Sequence, residues 1–252
     1  MNLTLAQVDP AYTDNLSEYN KALTQRNALL KQINERSGDV DQLSYWDERI
    51  TQAGAYIIHA RIQAIRDLGY IAASVHQELT RGEEILRLNY QPSFDPASSP
   101  PSQIELPLEN ALDRSGIELK DIRDRYREKL LAARSEDIFR GVTSKGPHRD
   151  EMRYLSNGVD LGNFGSRGQL RTAMLAIKLA EVNWLHDKNG DWPVLLLDEV
   201  LAELDDTRRQ DLLDRLAKTE QSMLTTTDLD LFSDEFKRSA TQWEIKNGEL
   251  AN

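Results

Sequence analysis

"VLLLDEVLAELDDTRR", residues 194–209, sets four apolar side chains in a row ahead of two adjacent carboxylates, Asp198 and Glu199. A short turn carrying Asp205 follows, then a helical pattern that opens at Asp206. An uninterrupted apolar run of this kind predicts a central parallel strand buried on both faces. At its end, Asp198 stands where a carboxylate can hold magnesium directly or through water, and Glu199 where it can polarise an attacking water. An acidic strand end solvated at a sheet edge has the same appearance. Upstream, "GQLRTAMLAIKLAEVNWLHDK" (168–188) predicts one long helix. Downstream, "SMLTTT" (222–227) predicts a second strand and "TQWEIKNGELAN" (241–252) one edge strand and a tail. The chain from about residue 81 onward is therefore α/β.

The stretch that would complete a phosphate site is "GSRGQLR", residues 165–171. Gly165 and Gly168 permit close backbone approach, Ser166 offers a hydroxyl, and the free amides and dipole of the following helix favour an incoming phosphate. An ordinary loop in which Ser166 only caps the helix fits equally. Nowhere in the 252 residues is there a G-x-x-x-x-G-K-S/T loop to cradle a triphosphate. The nearest pair, Lys145-Gly146, has the order reversed and runs into Pro147.

The first eighty residues differ in character. "YTDNLSEYNKALTQRNALLKQINER" (12–36) keeps helical spacing without glycine or proline, "SGDVDQ" interrupts it, and a second helical pattern runs from about Leu43 to Leu79. Gly54 and Gly69 lie inside this second pattern and weaken it. An antiparallel helical arm is predicted, although a plain helical hairpin gives the same pattern. Beyond it come a strand in "EEILRLNYQPSF" (83–94), a Pro/Ser-rich connection "DPASSPPSQ" (95–103), and a helix over Leu119–Arg134. Asn157-Gly158, set between two short strand-like pieces, signals a type I′ hairpin.

Net charge is -11, from 42 acidic and 31 basic residues, so the overall field repels nucleic acid and any such contact must be a local patch. The most basic stretch, 123–153, is interrupted by acids and reads either as a DNA-facing stripe or as a salt-bridged surface. An apolar fraction of 39% with 29% charged residues and a mean hydropathy of -0.59 describes a soluble chain with a core. There is no cysteine, hence no disulfide or thiolate zinc site. No signal peptide and no run of about twenty apolar residues is present, so no membrane association and a cytoplasmic location are expected. His59, His76 and His186 lack partners at zinc spacing. The four tryptophans are scattered and suit packing better than base stacking.

"FGSRGQLRTAMLAIKLAE" (164–181), joined to "GPHRDE" (146–151) and "LLLDEVLAELDDTRR" (195–209), resembles the RecF family of bacterial recombination-repair proteins, a branch of the ATP-binding-cassette (ABC) and chromosome-maintenance ATPases. The resemblance covers nearly the whole chain. It implies an α/β fold, the C-terminal part of an ABC-type ATPase head with an inserted antiparallel helical arm: arm over 1–80, incomplete head over 81–252. It also implies that ATP is sandwiched between two subunits. Ser166, Gly168 and Gln169 would face the terminal phosphate in trans, Asp198 would serve Mg2+, Glu199 the water, and Asp205 would communicate across the dimer. One of Thr225, Thr226 or Thr227 would sense phosphate where transporter cassettes carry a histidine, and His148-Arg149 would contact nucleotide or DNA, or else hold a turn. The implied partners are DNA at double-strand/single-strand junctions, RecR-like and RecO-like proteins, a second copy in an ATP-dependent homodimer, and a segment carrying the phosphate loop, encoded in frame or separately. Without that loop the chain alone is expected to be a poor ATPase. The competing expectation is a nonenzymatic helical-arm interaction module.

Overall fold

The computed structural model describes residues 1–97, 114–204, 206–216 and 220–251. A short helix α1 (Asn2–Ala6) precedes α2 (Pro10–Asn34), whose start is fixed twice over: Pro10 occupies the first helical position, and the Asp9 side chain accepts the Tyr12 amide at 3.1 Å. Tyr12, Tyr19, Ala22, Arg26, Leu29 and Leu30 form its buried stripe.

Helix α3 (Leu43–Leu79) is continuous for 37 residues. Gly54 does not break it, because the surroundings demand a glycine there: a β-carbon would lie 2.6 Å from the Tyr126 ring and 3.0 Å from that of Tyr19. Gly69 meets nothing within 4 Å and is simply tolerated. Ile50, Ile57, Ile58, Leu68 and Ala72 of α3 are all but inaccessible to solvent, and the helix packs against α2 and against elements from the rest of the chain. Strand β1 (Leu86–Gln91) follows, then α4 (Leu119–Arg140), both of which pack on α3. Helix α4 runs past the expected Arg134 to Arg140. Its last turns carry the buried Asp137, bonded to Arg26, and the chain turns out through Gly141 at φ 66.

Strands β2 (Glu151–Ser156) and β3 (Val159–Asp160) complete an antiparallel three-stranded sheet in the order β1-β2-β3, with Leu86 opposite Ser156 and Gln91 opposite Glu151. The β2–β3 turn is Asn157 (φ 49) and Gly158 (φ 82), the hairpin its sequence predicts. Helix α5 (Leu161–Phe164) leads into α6 (Arg167–Asn189), which packs along α3. Strand β4 (Leu195–Asp198), helix α7 (Asp206–Leu216) and strand β5 (Ser222–Thr225) form a β-α-β unit with β4 and β5 parallel and Asp198 opposite Thr225. A short helix α8 (Asp234–Ser239) leads to β6 (Glu244–Lys246) and β7 (Glu249–Ala251).

Two expectations need correction. The apolar run is not buried on both faces: Leu195 and Leu197 are buried while Leu196 is 68% exposed. Among the described residues β4 pairs only with β5. Leu195 and Leu197 join the core that also holds Leu212, Leu213 and Leu216 of α7, and the opposite face is open. The chain end is not one strand and a tail but a hairpin, β6 paired with β7, because Asn247 (φ 52) and Gly248 (φ 82) form a left-handed two-residue turn.

The main hydrophobic cluster runs without interruption from Leu5 through α2, α3, β1, α4 and α6 to Leu216. The N-terminal helices are thus walls of the same core that positions α6 and β4.

Candidate functional site

The parallel pairing of β4 with β5 brings two polar groups to one strand end. Thr225 Oγ1 donates to Asp198 Oδ1 at 2.5 Å and accepts the Glu199 amide at 3.2 Å. Glu199 sits at φ 52, ψ 19, a left-handed conformation that costs a non-glycine residue energy and is concentrated at functional sites. Asp198 is exposed and Glu199 half-buried, so both carboxylates open to solvent. Of the three threonines, Thr225 touches Asp198. Thr226 turns away, its Oγ1 accepting the Asp228 amide at 3.1 Å and donating to the Asp228 carbonyl at 3.0 Å. Thr227 is exposed. Asp205 lies outside the described residues.

The second group is the start of α6. Ser166 Oγ accepts the Gln169 amide at 3.1 Å and Gln169 Oε1 accepts the Ser166 amide at 3.0 Å, a reciprocal capping box. The two glycines have different reasons. At Gly165 a β-carbon would lie 2.6 Å from the Leu161 carbonyl oxygen, so the local turn requires glycine. At Gly168 it would meet nothing nearer than Ser166 Oγ at 3.9 Å. No contact within the described chain explains Gly168; it leaves the face of the first turn open to an external group. Ser166 and Gly168 are exposed and Gln169 half-buried. No hydrogen bond or ion pair joins this turn to Asp198 or Glu199 among the described residues, so the two groups stand apart within one chain.

His148 is exposed at the surface, yet both ring nitrogens are tied to the polar seam beneath it. One ring nitrogen lies 2.6 Å from Tyr19 Oη and the other 3.0 Å from the Thr143 carbonyl. Burial holds its pKa below the ordinary histidine value, and the Thr143 contact opposes that only in part. Asp150 does not pair with Arg149: it accepts Arg61 Nη1 at 3.2 Å, the Ser93 amide at 2.8 Å and the Tyr90 hydroxyl. Arg149 is exposed. Part of the basic stretch is ion-paired, with Arg127 on Glu48, Arg134 on Asp47, Arg140 on Glu136 and Arg153 on Asp160.

Two polar centres escaped sequence reasoning. The fully buried Arg26 donates to Asp47 at 2.7 Å and to Asp137 and Thr143 at 2.8 Å each, tying α2, α3, α4 and the following loop together. Glu84 accepts from Ser156 and Gln169. Spacing could have found neither: Arg26 showed only as a charged residue on an otherwise apolar helical face, and Glu84, in the connection between α3 and β1, gave no signal.

Whether Asp198 suits a metal follows from its donors. Among the described residues there is no cluster of three or more His, Cys, Asp or Glu side chains that could cage an ion. One solvent-facing carboxylate backed by a hydroxyl is an all-oxygen set of the kind that binds magnesium together with water and substrate phosphates. The residues fit that ion, and fit no all-protein metal cage.

No family profile matches the chain. Among curated proteins, it is 37% identical to the DNA replication and repair protein RecF of Chloroflexus aggregans, an alignment covering 99% of this chain and 61% of that protein. It is 36% identical to RecF of Bacillus subtilis, over 99% of this chain and 63% of that protein. Among solved structures, one described as the recombination mediator protein RecF with ATP in the RecFOR pathway superposes with a TM-score of 0.80 at 30% identity, covering 99% of this chain and 60% of that one. Over nearly its whole length the chain is similar to RecF. It spans about three fifths of the length of the curated relatives it matches. Its mixed helix and strand architecture is the ABC ATPase-like α/β fold of RecF structures. No described helix is long and apolar enough to cross a membrane.

Proposed function

We propose that this chain belongs to the RecF family and is part of a cytoplasmic, ATP-binding DNA replication and repair protein that works as an ATP-controlled switch on DNA. The observation that carries the reading is the strand end at which Asp198, Glu199 and Thr225 meet, preceded in the chain by a capped helix whose Gly168 has no internal reason to be glycine. Further support is the likeness to structures of RecF with ATP and with ATPrS.

In this reading residues 81–252 are the head and 1–80 the arm. Asp198, steadied by the Thr225 hydroxyl, would hold Mg2+. Glu199, turned off the strand axis by its left-handed backbone, orients and accepts a proton from the attacking water. Magnesium, when bound, supplies the positive charge that neutralises the phosphates. The first turn of α6 turns its amides and the Ser166 hydroxyl toward a phosphate bound on a second copy. This trans arrangement accounts for the lack of contact between the two groups within one chain. Asp205 carries the signal across that interface. One of Thr225, Thr226 and Thr227 senses phosphate, and the hydrogen bond of Thr225 to Asp198 is what favours Thr225. DNA, RecR-like and RecO-like proteins are the partners, the last two suggested by the RecFOR pathway named for the solved relatives. ATP-dependent dimerisation and recombinase loading at gapped DNA complete the proposal.

Magnesium-ATP calorimetry tests it. The expected result is no binding to the chain alone and binding once a RecF-family polypeptide carrying the phosphate loop is added. No heat in the mixture, with both polypeptides folded and associated, would favour the interaction-module reading.

A further inference from the structure

Gln169 is asked to do two things at once. Its Oε1 accepts the Ser166 amide at 3.0 Å, which closes the capping box, while its Nε2 donates to Glu84 Oε1 at 3.1 Å. Turning the side-chain amide over would set its nitrogen against the Ser166 N–H and its oxygen against a carboxylate, so both contacts would become repulsive. Glu84, when ionised, only accepts hydrogen bonds. It therefore selects the one orientation of Gln169 that caps α6.

Glu84 is itself held from several elements. Its Oε2 accepts the hydroxyl of the buried Ser156, on β2, at 2.7 Å. His76, fully buried in the last turn of α3, has Nε2 at 3.8 Å from the same oxygen, and neither His76 ring nitrogen has a hydrogen-bond partner among the described residues. The positive charge of Arg208 on α7 also acts on this carboxylate. The end of α3, the sheet and the Ser166–Gln169 turn thus meet at a single side chain.

We propose that Glu84 is a positioning residue for the first turn of α6, fixing Gln169, and through it Ser166, relative to the end of α3. Its functional weight rests on the reading above, in which that turn faces a nucleotide phosphate; the positioning itself does not.

Amide hydrogen exchange on the 252-residue chain separates the two. In Glu84→Ala, the amides of Ser166 and Gln169 should exchange about 5- to 10-fold faster, the scale of one lost hydrogen bond. The Ala22 and Arg26 amides of α2 should not change. In a Gln169→Ala background, Glu84→Ala should add nothing. Unchanged exchange at Ser166, or an equal acceleration with and without Gln169, would overturn the proposal. A measurement on the unaltered chain decides it should the alanine variant unfold. Burial pushes the Glu84 carboxyl up, but hydrogen bonds from Ser156 and Gln169, with His76 and Arg208, bring it below its ordinary value. The Gln169 side-chain NH2 resonances should therefore shift in the acidic range with the midpoint of Glu84, and NH2 resonances that stay still through that titration would overturn the proposal. No readout so far uses nucleotide, so failed ATP binding leaves the positioning role standing. In an assembly that does bind ATP, Glu84→Ala should reduce ATP-dependent dimer formation as far as Gln169→Ala does; dimer formation at the unaltered level would remove the functional half of the inference.

Discussion

Gly146 shows how little room the polar seam around His148 leaves. A β-carbon there would lie 2.1 Å from Tyr126 Oη and 2.3 Å from Tyr19 Oη, at a backbone φ of 132 that side-chain-bearing residues rarely adopt. Gly146→Ala is expected to lose about 3 kcal/mol of stability in urea denaturation, from overpacking and backbone strain together. Gly69, inside α3 with nothing within 4 Å, is the opposite case. Gly69→Ala should stabilise by about 0.5–1 kcal/mol in the same assay, since alanine restricts the unfolded helix backbone more than glycine. Arg26 is the most consequential buried charge. Arg26→Met strands Asp47 and Asp137 without their shared partner, and a loss of about 3–5 kcal/mol is expected. At this scale legibility divides cleanly. Asp198 and Glu199 were readable because their chemistry is in their names and the apolar run before them gives a place in the fold. Arg26 was not, because its role needs Asp137, 111 residues along the chain, to arrive at the same point. Periodicity within one helix carries no such information.

Elements were readable in proportion to their local signals. Helix α6 begins at Ser166 because Ser-x-x-Gln is a self-contained capping signal, and Ser166→Ala should cost about 1 kcal/mol, seen as early fraying of its first turn in amide exchange. The Asn157-Gly158 hairpin was legible for the same reason, and Asn247-Gly248 carries the same signal at the chain end, where it outweighs the shortness of the strands it joins. The end of α4 was not legible. Its extra turn is held by Asp137 reaching Arg26, a tertiary contact that extends a helix beyond its own pattern. Strand β4 misled in another way: an apolar run reports what a strand is able to bury, while its neighbours decide what it does bury. Leu196, 68% exposed, faces out beside Met223, its partner in register. Leu196→Thr with Met223→Thr should raise the concentration at which the chain stays monodisperse in light scattering while leaving its melting temperature within a few degrees.

For the whole molecule, pH acts through histidines that the fold keeps neutral. Burial lowers the pKa of His59, His76 and His148 below the ordinary histidine value. The unfolded chain therefore binds more protons than the native one through the interval between the ordinary value and the lowered ones, and stability falls as pH drops across it. Urea midpoints should decline from pH 7 toward pH 5, and His76→Leu, which removes two unpartnered buried nitrogens, should flatten the slope. The same unity of the core gives α3 a mechanical meaning. Its 37 residues make a rod about 55 Å long. Near its start Asp47 grips Arg26 and Arg134; near its end His76 lies against Glu84. A stiff shaft pivoting at one end moves the other by about 1 Å for each degree of tilt, by the same helix length. A small angular change imposed where α2 and α4 clasp the shaft would thus arrive at the opposite end as a displacement as large as the tolerance of a hydrogen bond.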